Sequence, residues 1–365
     1  MSEEKIPKSS WIRSFETKWF MMPMATGAMG IFTYMLHGRL LGSAMIALGV
    51  FFVLLALLMV IVMGAMLSAR FIQYPETFSR DTAHPVEVNF LAAVSIALSV
   101  TSAGVSRVLL PAGIVSTPVA TTLSGTLYLL GMGLGLIFLW LTIYKLTLSE
   151  NVTLTNAVGI WLLPPVGLFV SIFAGNFWAL HIAESGAHIV ALFNLLVFGV
   201  ALLIYIFVMG MIYQRKKFHP LPPAMLAPSF FVPLAPPGVM VIALWSFVAL
   251  MKKLEIFAMY GTAFGSFSLF LATMMIGFGL FWLVYAVIIS WHYGKIPYSL
   301  AYWAYVFPLN ALGISIALSA AHPALSPLKV LVAPMWFAGL LLWLYVFYKT
   351  ISALKNGLFS PSGNS

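Results

Sequence analysis

No cysteine occurs among the 365 residues, which excludes disulfides, thiolate metal centres and cysteine nucleophiles and leaves the compartment open. Charge is nearly as scarce. Asp, Glu, Lys and Arg together make 7% of the chain and hydrophobic residues 62%, whereas soluble domains carry about 25% charge. Such a chain belongs in lipid. The first twenty residues hold charges of both signs and lack the apolar core of a signal peptide, so the first apolar segment is expected to be retained. None of the nine acidic residues falls deep in an apolar segment, Glu87 lying at an edge and Glu184 near a loop. Proton relays and cation sites in membranes usually need such groups, so their absence favours a passive or weakly coupled route for anions. Histidine boxes, paired acids and activated nucleophiles are missing too. Neither an enzymatic activity nor a cofactor is expected.

Apolar runs of roughly 17–25 residues can cross a bilayer. Ten are present, near 18–37, 41–69, 87–106, 116–147, 157–178, 187–213, 225–250, 256–291, 299–320 and 328–350. Short loops leave no room for a soluble domain, so the chain divides into a segment 1–17, a membrane domain 18–350 and a tail 351–365. The net charge is +9, and thirteen of the eighteen Lys and Arg fall on the side of both termini. Arg39, Arg107, Lys252, Lys253 and Lys329 fall on the other. This asymmetry predicts an inner (plasma) membrane protein with both termini cytoplasmic. The basic cluster Arg215, Lys216 and Lys217 then reads as a lipid-headgroup anchor, and the excess charge does not point to nucleic acid.

The spans alternate in kind. Odd-numbered ones carry prolines, glycines and polar residues: Pro23, Thr26 and Gly27 in the first, Asn89, Ser95 and Ser99 in the third, Pro164, Ser171 and Asn176 in the fifth. The seventh has Pro233, Pro236 and Pro237, and the ninth Pro308 and Asn310. Even-numbered spans mostly run longer and smoother, with small residues such as Gly131, Gly133 and Gly135 suited to close helix contacts. Irregular backbone at membrane depth is tolerated where protein buries it or water reaches it. Five hairpins, each joining an irregular helix to a smooth one, therefore predict an all-α fold with an inner ring of five helices inside an outer five.

Within the ninth span, Pro308 deprives the Ala304 carbonyl of its helical partner. The aromatic run Tyr302, Trp303, Tyr305 and Phe307 ends at that point, which reads as a pore helix with Phe307 as its plug. Thr26, Gly27, Asn89, Pro164, Ser171, Pro237, Pro308 and Asn310 are the candidate pore-lining residues, each polar one equally able to bond a neighbouring helix. A two-repeat carrier would pair broken helices in span one and span six, and span six has no proline. His181, Glu184 and His188 share a helical face without enough further ligands for a metal centre, and fit a surface or loop role better.

Four stretches extend the reading. W-A-Y-V-F-P-L-N (303–310), P-M-A-T-G-A-M-G (23–30), A-H-P-V (83–86) and P-L-A-P-P-G-V (233–239), in this order and spacing, resemble the tellurite-resistance/dicarboxylate transporter family. That family includes bacterial TehA, fungal malate and sulfite transporters and plant slow-type anion channels. The resemblance covers essentially all ten spans. It implies ten helices about a central pore of quasi-fivefold symmetry, usually in a homotrimer, with Phe307 matching the family's gating phenylalanine. It also implies small anions as the transported partners, four-carbon dicarboxylates such as malate or inorganic ions, by channel or by proton-coupled carrier.

Overall fold

The computed structural model describes residues 11–356 apart from 39, 41 and 255–257. Most of the expected N-terminal segment, Arg39 and the end of the tail therefore lie outside the described residues. Helix is the only regular structure among the described ones.

Five helices are short: α1 (Met21–Met35), α4 (Leu91–Gly104), α6 (Leu163–Ala179), α8 (Ala235–Met251) and α10 (Trp303–Ser319). Five others run 27–36 residues: α2 (Ser43–Gln73), α5 (Thr117–Leu148), α7 (Glu184–Phe218), α9 (Ala258–Tyr293) and α11 (Lys329–Lys355). A further short helix, α3 (Glu76–Ala83), follows α2. It is anchored where Asp81 pairs with the buried guanidinium of Arg70 at 2.6 Å. Nothing in the apolar pattern announces it, because its stretch is polar.

Among the described residues nine helical stretches are long and apolar enough to cross a membrane. The first expected span is not one of them: α1 has 15 residues, and all but its last two are buried. Burial separates the two kinds of helix cleanly. In the most apolar window of the stretches containing α4, α6, α8 and α10, 83–100% of residues are buried, against 22–39% for the long helices. Residues such as Leu58, Ile61 and Phe281 stand exposed on the latter, presenting apolar surface to lipid. The short helices pack in a closed cycle, α1 on α4, α4 on α6, α6 on α8, α8 on α10 and α10 on α1. Each long helix packs on the short helix preceding it.

The prolines sit differently from the mid-span breaks expected. Each inner helix is led in by a 3-10 turn, Thr17–Phe20, Glu87–Phe90, Gly159–Leu162, Val232–Leu234 and Leu300–Tyr302. Pro164 and Pro236 occupy the first turns of α6 and α8. The first turn has no intrahelical acceptor for its N–H groups, so proline costs nothing there. Among the inner α-helices, Pro308 is the one proline in a helix interior.

Close backbone approach tightens the cycle. A Cβ on Gly238 of α8 would come within 2.7 Å of the Ala311 carbonyl carbon of α10, and one on Gly313 of α10 would strike the Phe32 ring of α1.

Candidate functional site

The five inner α-helices contain no Asp, Glu, Lys or Arg, so the centre of the ring is built from apolar side chains, hydroxyls, amides and backbone. Phe307 lies in α10 and is 2% exposed. Its neighbour Pro308 is buried as well, as are Pro164 of α6 and Pro237 of α8. Among the described residues, burial this complete leaves no wide passage beside Phe307.

Apart from Asn310, the polar candidates are engaged between or within helices. Thr26 Oγ1 donates to the Met22 carbonyl at 2.8 Å and accepts from Trp343 Nε1 of α11 at 3.0 Å. One helical repeat on, Thr33 Oγ1 accepts from Trp336 Nε1 at 3.0 Å. Gly27 faces Val100 of α4, where a Cβ would approach to 2.8 Å. Asn89 Nδ2 donates to the Pro85 carbonyl at 3.0 Å and so closes the turn ahead of α4. Ser171 of α6 shares a 2.8 Å hydrogen bond with Ser99 of α4. Asn310 abuts Gly339 of α11, with both amide atoms buried and unpartnered.

A larger polar network escaped the sequence reading except at Asn176. Tyr128 of α5 donates to Asn194 of α7, Asn194 donates to Asn176 of α6, and Asn176 donates to Ser246 of α8, each at 2.9 Å. Gly175 leaves the space that Tyr128 occupies. The chain of amides and hydroxyls spans four helices, and buried polar groups satisfied in this way specify one packing. Asn194 and Tyr128 lie on smooth outer helices, where a lone polar residue gives no periodic signal.

Lys216 also departs from expectation. Rather than reaching for headgroups, its ammonium sits 4.0 Å from the Phe230 ring centroid, 4.5 Å from Trp282 and 5.1 Å from Tyr285, without a hydrogen-bond partner. Arg215 turns inward too, its Nε 3.4 Å from the Thr155 carbonyl. A cleft of about 870 Å³ lies between α9, α10 and α11, lined by Tyr302, Tyr305, Tyr345, Lys295 and Lys349 among others. It lies at the flank of the ring, not across its centre.

Alternation of short and long helices makes all five inner helices run the same way. Their N-terminal ends, with free N–H groups and positive partial charge, gather at the mouth on the side of the chain termini. Such ends attract anions.

Comparison with known proteins agrees with this arrangement. The family described as voltage-dependent anion channel (SLAC1) matches residues 14–351. An uncharacterized transporter of Methanocaldococcus jannaschii is 26% identical over 95% of this chain and 97% of its own length. A second from the same organism is 27% identical over 94% and 93%. A sulfite efflux pump of Arthroderma benhamiae is 25% identical over 84% of this chain and 83% of its own. A match of that extent, on a chain whose buried inner helices carry no fixed charge, makes this protein a member of the voltage-dependent anion channel family.

Proposed function

We propose that the chain passes small anions through the centre of the inner ring and that Phe307 is the gate. The observation that carries this reading is the closed cycle of five buried helices without a single Asp, Glu, Lys or Arg. A bare anion in hydrocarbon costs on the order of tens of kcal/mol, so a route must offer dipoles. A route that releases its ion quickly must hold it weakly. Converging helix N-termini and neutral walls meet both needs. A benzyl ring across the narrowest point stops ions by excluding water, and Phe307 precedes the interior proline of the ring. The wall in this reading includes Pro164, Pro237 and Pro308. Thr26, Gly27, Asn89, Ser171 and Asn310 hold it in register, through hydrogen bonds or close packing. The hairpins are related by a quasi-fivefold axis, and three copies assemble in the plasma membrane with both termini in the cytoplasm.

Inorganic anions and four-carbon dicarboxylates such as malate are the candidate substrates. The fungal relatives named as sulfite efflux pumps favour a second reading, proton-coupled export of sulfite. Purified protein in liposomes separates the two when nitrate, chloride, sulfite and malate gradients are applied with and without a pH gradient. Flux that follows the anion gradient alone supports the channel, and strict dependence on the proton gradient supports the carrier. Phe307→Ala is expected to raise conductance about tenfold or more, the effect of removing roughly 1.4 kcal/mol of barrier. Unchanged conductance in a well-folded variant overturns the gate.

A further inference from the structure

The parallel inner helices that favour anions at one mouth oppose them at the other. There the C-terminal ends of the ring present unpaired carbonyls and negative partial charge. Basic side chains following three successive inner helices stand at that end. Lys253, just past α8, donates to the carbonyls of Ala179, Leu180 and Ile182 at 3.1, 3.0 and 2.7 Å. All three of its donors are thus spent on capping α6. His181, in the turn after α6, lies within reach of both Lys253 and Arg107. Burial first, then Arg107 and Lys253, lowers its pKa below the usual imidazole value.

Arg107 is placed differently. It rides on a single π-helical turn, Val105–Leu109, that extends α4. Wide turns of this kind recur at functional sites because they re-aim one side chain out of the helical pattern. Part of the side chain is exposed, its charge lies within reach of Tyr34 of α1, and its guanidinium lies 4.9 Å from the Phe177 ring centroid of α6. Among the described residues it makes no hydrogen bond and no ion pair, and Glu184, the described acid at this end, has an interaction of its own. A planar fork of five donors, braced on an aromatic face and left unpaired, matches an oxyanion in two-pronged fashion.

We propose that Arg107 is an anion-capture site at the mouth away from the chain termini, where its guanidinium takes a small oxyanion in bidentate contact before the ion enters or after it leaves the ring. This rests on the reading that the ring conducts anions. Arg107 overcomes the carbonyl field of that mouth and gives it a preference for planar or pyramidal oxyanions over a spherical halide.

The test is half-saturating concentration measured separately from each side, in liposomes whose protein orientation is read with an impermeant maleimide on Asn151→Cys, the chain's single thiol. Arg107→Gln is expected to raise the half-saturating nitrate or sulfite concentration about tenfold from the Arg107 side, the usual worth of a charged hydrogen-bonded contact. From the termini side it should stay within about twofold. Arg107→Lys should restore chloride capture while leaving the oxyanion preference lost, since the charge returns without the fork. Phe177→Leu, which removes the brace and keeps the charge, should shift the same constant less. Unchanged constants on the Arg107 side, or equal losses from both sides, overturn the site while wild-type flux stands. Absence of wild-type anion flux overturns the conduction reading and this site with it.

Discussion

Thr26 and Thr33 stand seven residues apart on α1, and Trp336 and Trp343 stand seven apart on α11. The two helices run antiparallel, so the pairs fall into register as a two-rung ladder. Each indole N–H is buried against a hydroxyl that itself donates to the turn below, and removing the acceptor leaves a buried donor unpaired. Thr26→Val keeps the shape and deletes one rung, with an expected loss of about 1–3 kcal/mol. Thr26→Ser should lose less, and thermal unfolding of the detergent-purified variants reads the difference. Thr26 was visible in the sequence as a polar residue in an apolar span, whereas Thr33 was not singled out. Their partners were not visible either, because a lone Trp on a smooth helix looks like any other apolar residue until the helices are placed side by side. Asn194 and Tyr128 were missed for the same reason.

Helices were more legible than residues. A long span with one lipid-facing stripe and a short span buried on all sides differ in composition, prolines and buried polar residues being denser in the latter. That contrast made the alternation and the all-helical membrane fold readable. It did not reveal where the prolines act, because the 3-10 turns ahead of the inner helices leave no periodic trace. Contact between α8 and α10 gives a sharp test. At Gly238 an added methyl meets backbone atoms of Ala311 and Leu312, which cannot move aside as a side-chain tip can. Gly238→Ala is therefore expected to cost about 1–3 kcal/mol or more. Gly133→Ala, on the outer helix α5 with nothing within 4 Å of the new Cβ, should be neutral or slightly stabilising. Unfolding midpoints of the two variants, measured together, check whether the ring is held by backbone contact.

At the scale of the whole molecule, the uneven distribution of Lys and Arg predicts the orientation, and the lack of cysteine makes that prediction easy to check. Asn151 follows α5 on the side of the termini, and Ser326 follows α10 on the opposite side. In intact cells, an impermeant maleimide should label Ser326→Cys and spare Asn151→Cys. The reverse pattern would invert the orientation. The family was legible because three of its four motifs lie in the inner helices or the turns leading into them, where several neighbours surround each position. Substrate was not, because neutral walls carry no charge pattern from which to read an ion.

Tying the first inner helix to the last outer one also sets a schedule for biogenesis. Trp336 and Trp343 are some three hundred residues downstream of their threonine acceptors. At about 5–20 residues per second of synthesis, α1 spends roughly 15–60 s in the bilayer before α11 can reach it. A helix of 15 residues with two hydroxyls facing an absent partner must lean meanwhile on α2 and α4, and its outer seam is completed only once α11 is in place. Chains arrested before α11 would display an unsatisfied seam to the membrane's quality-control machinery.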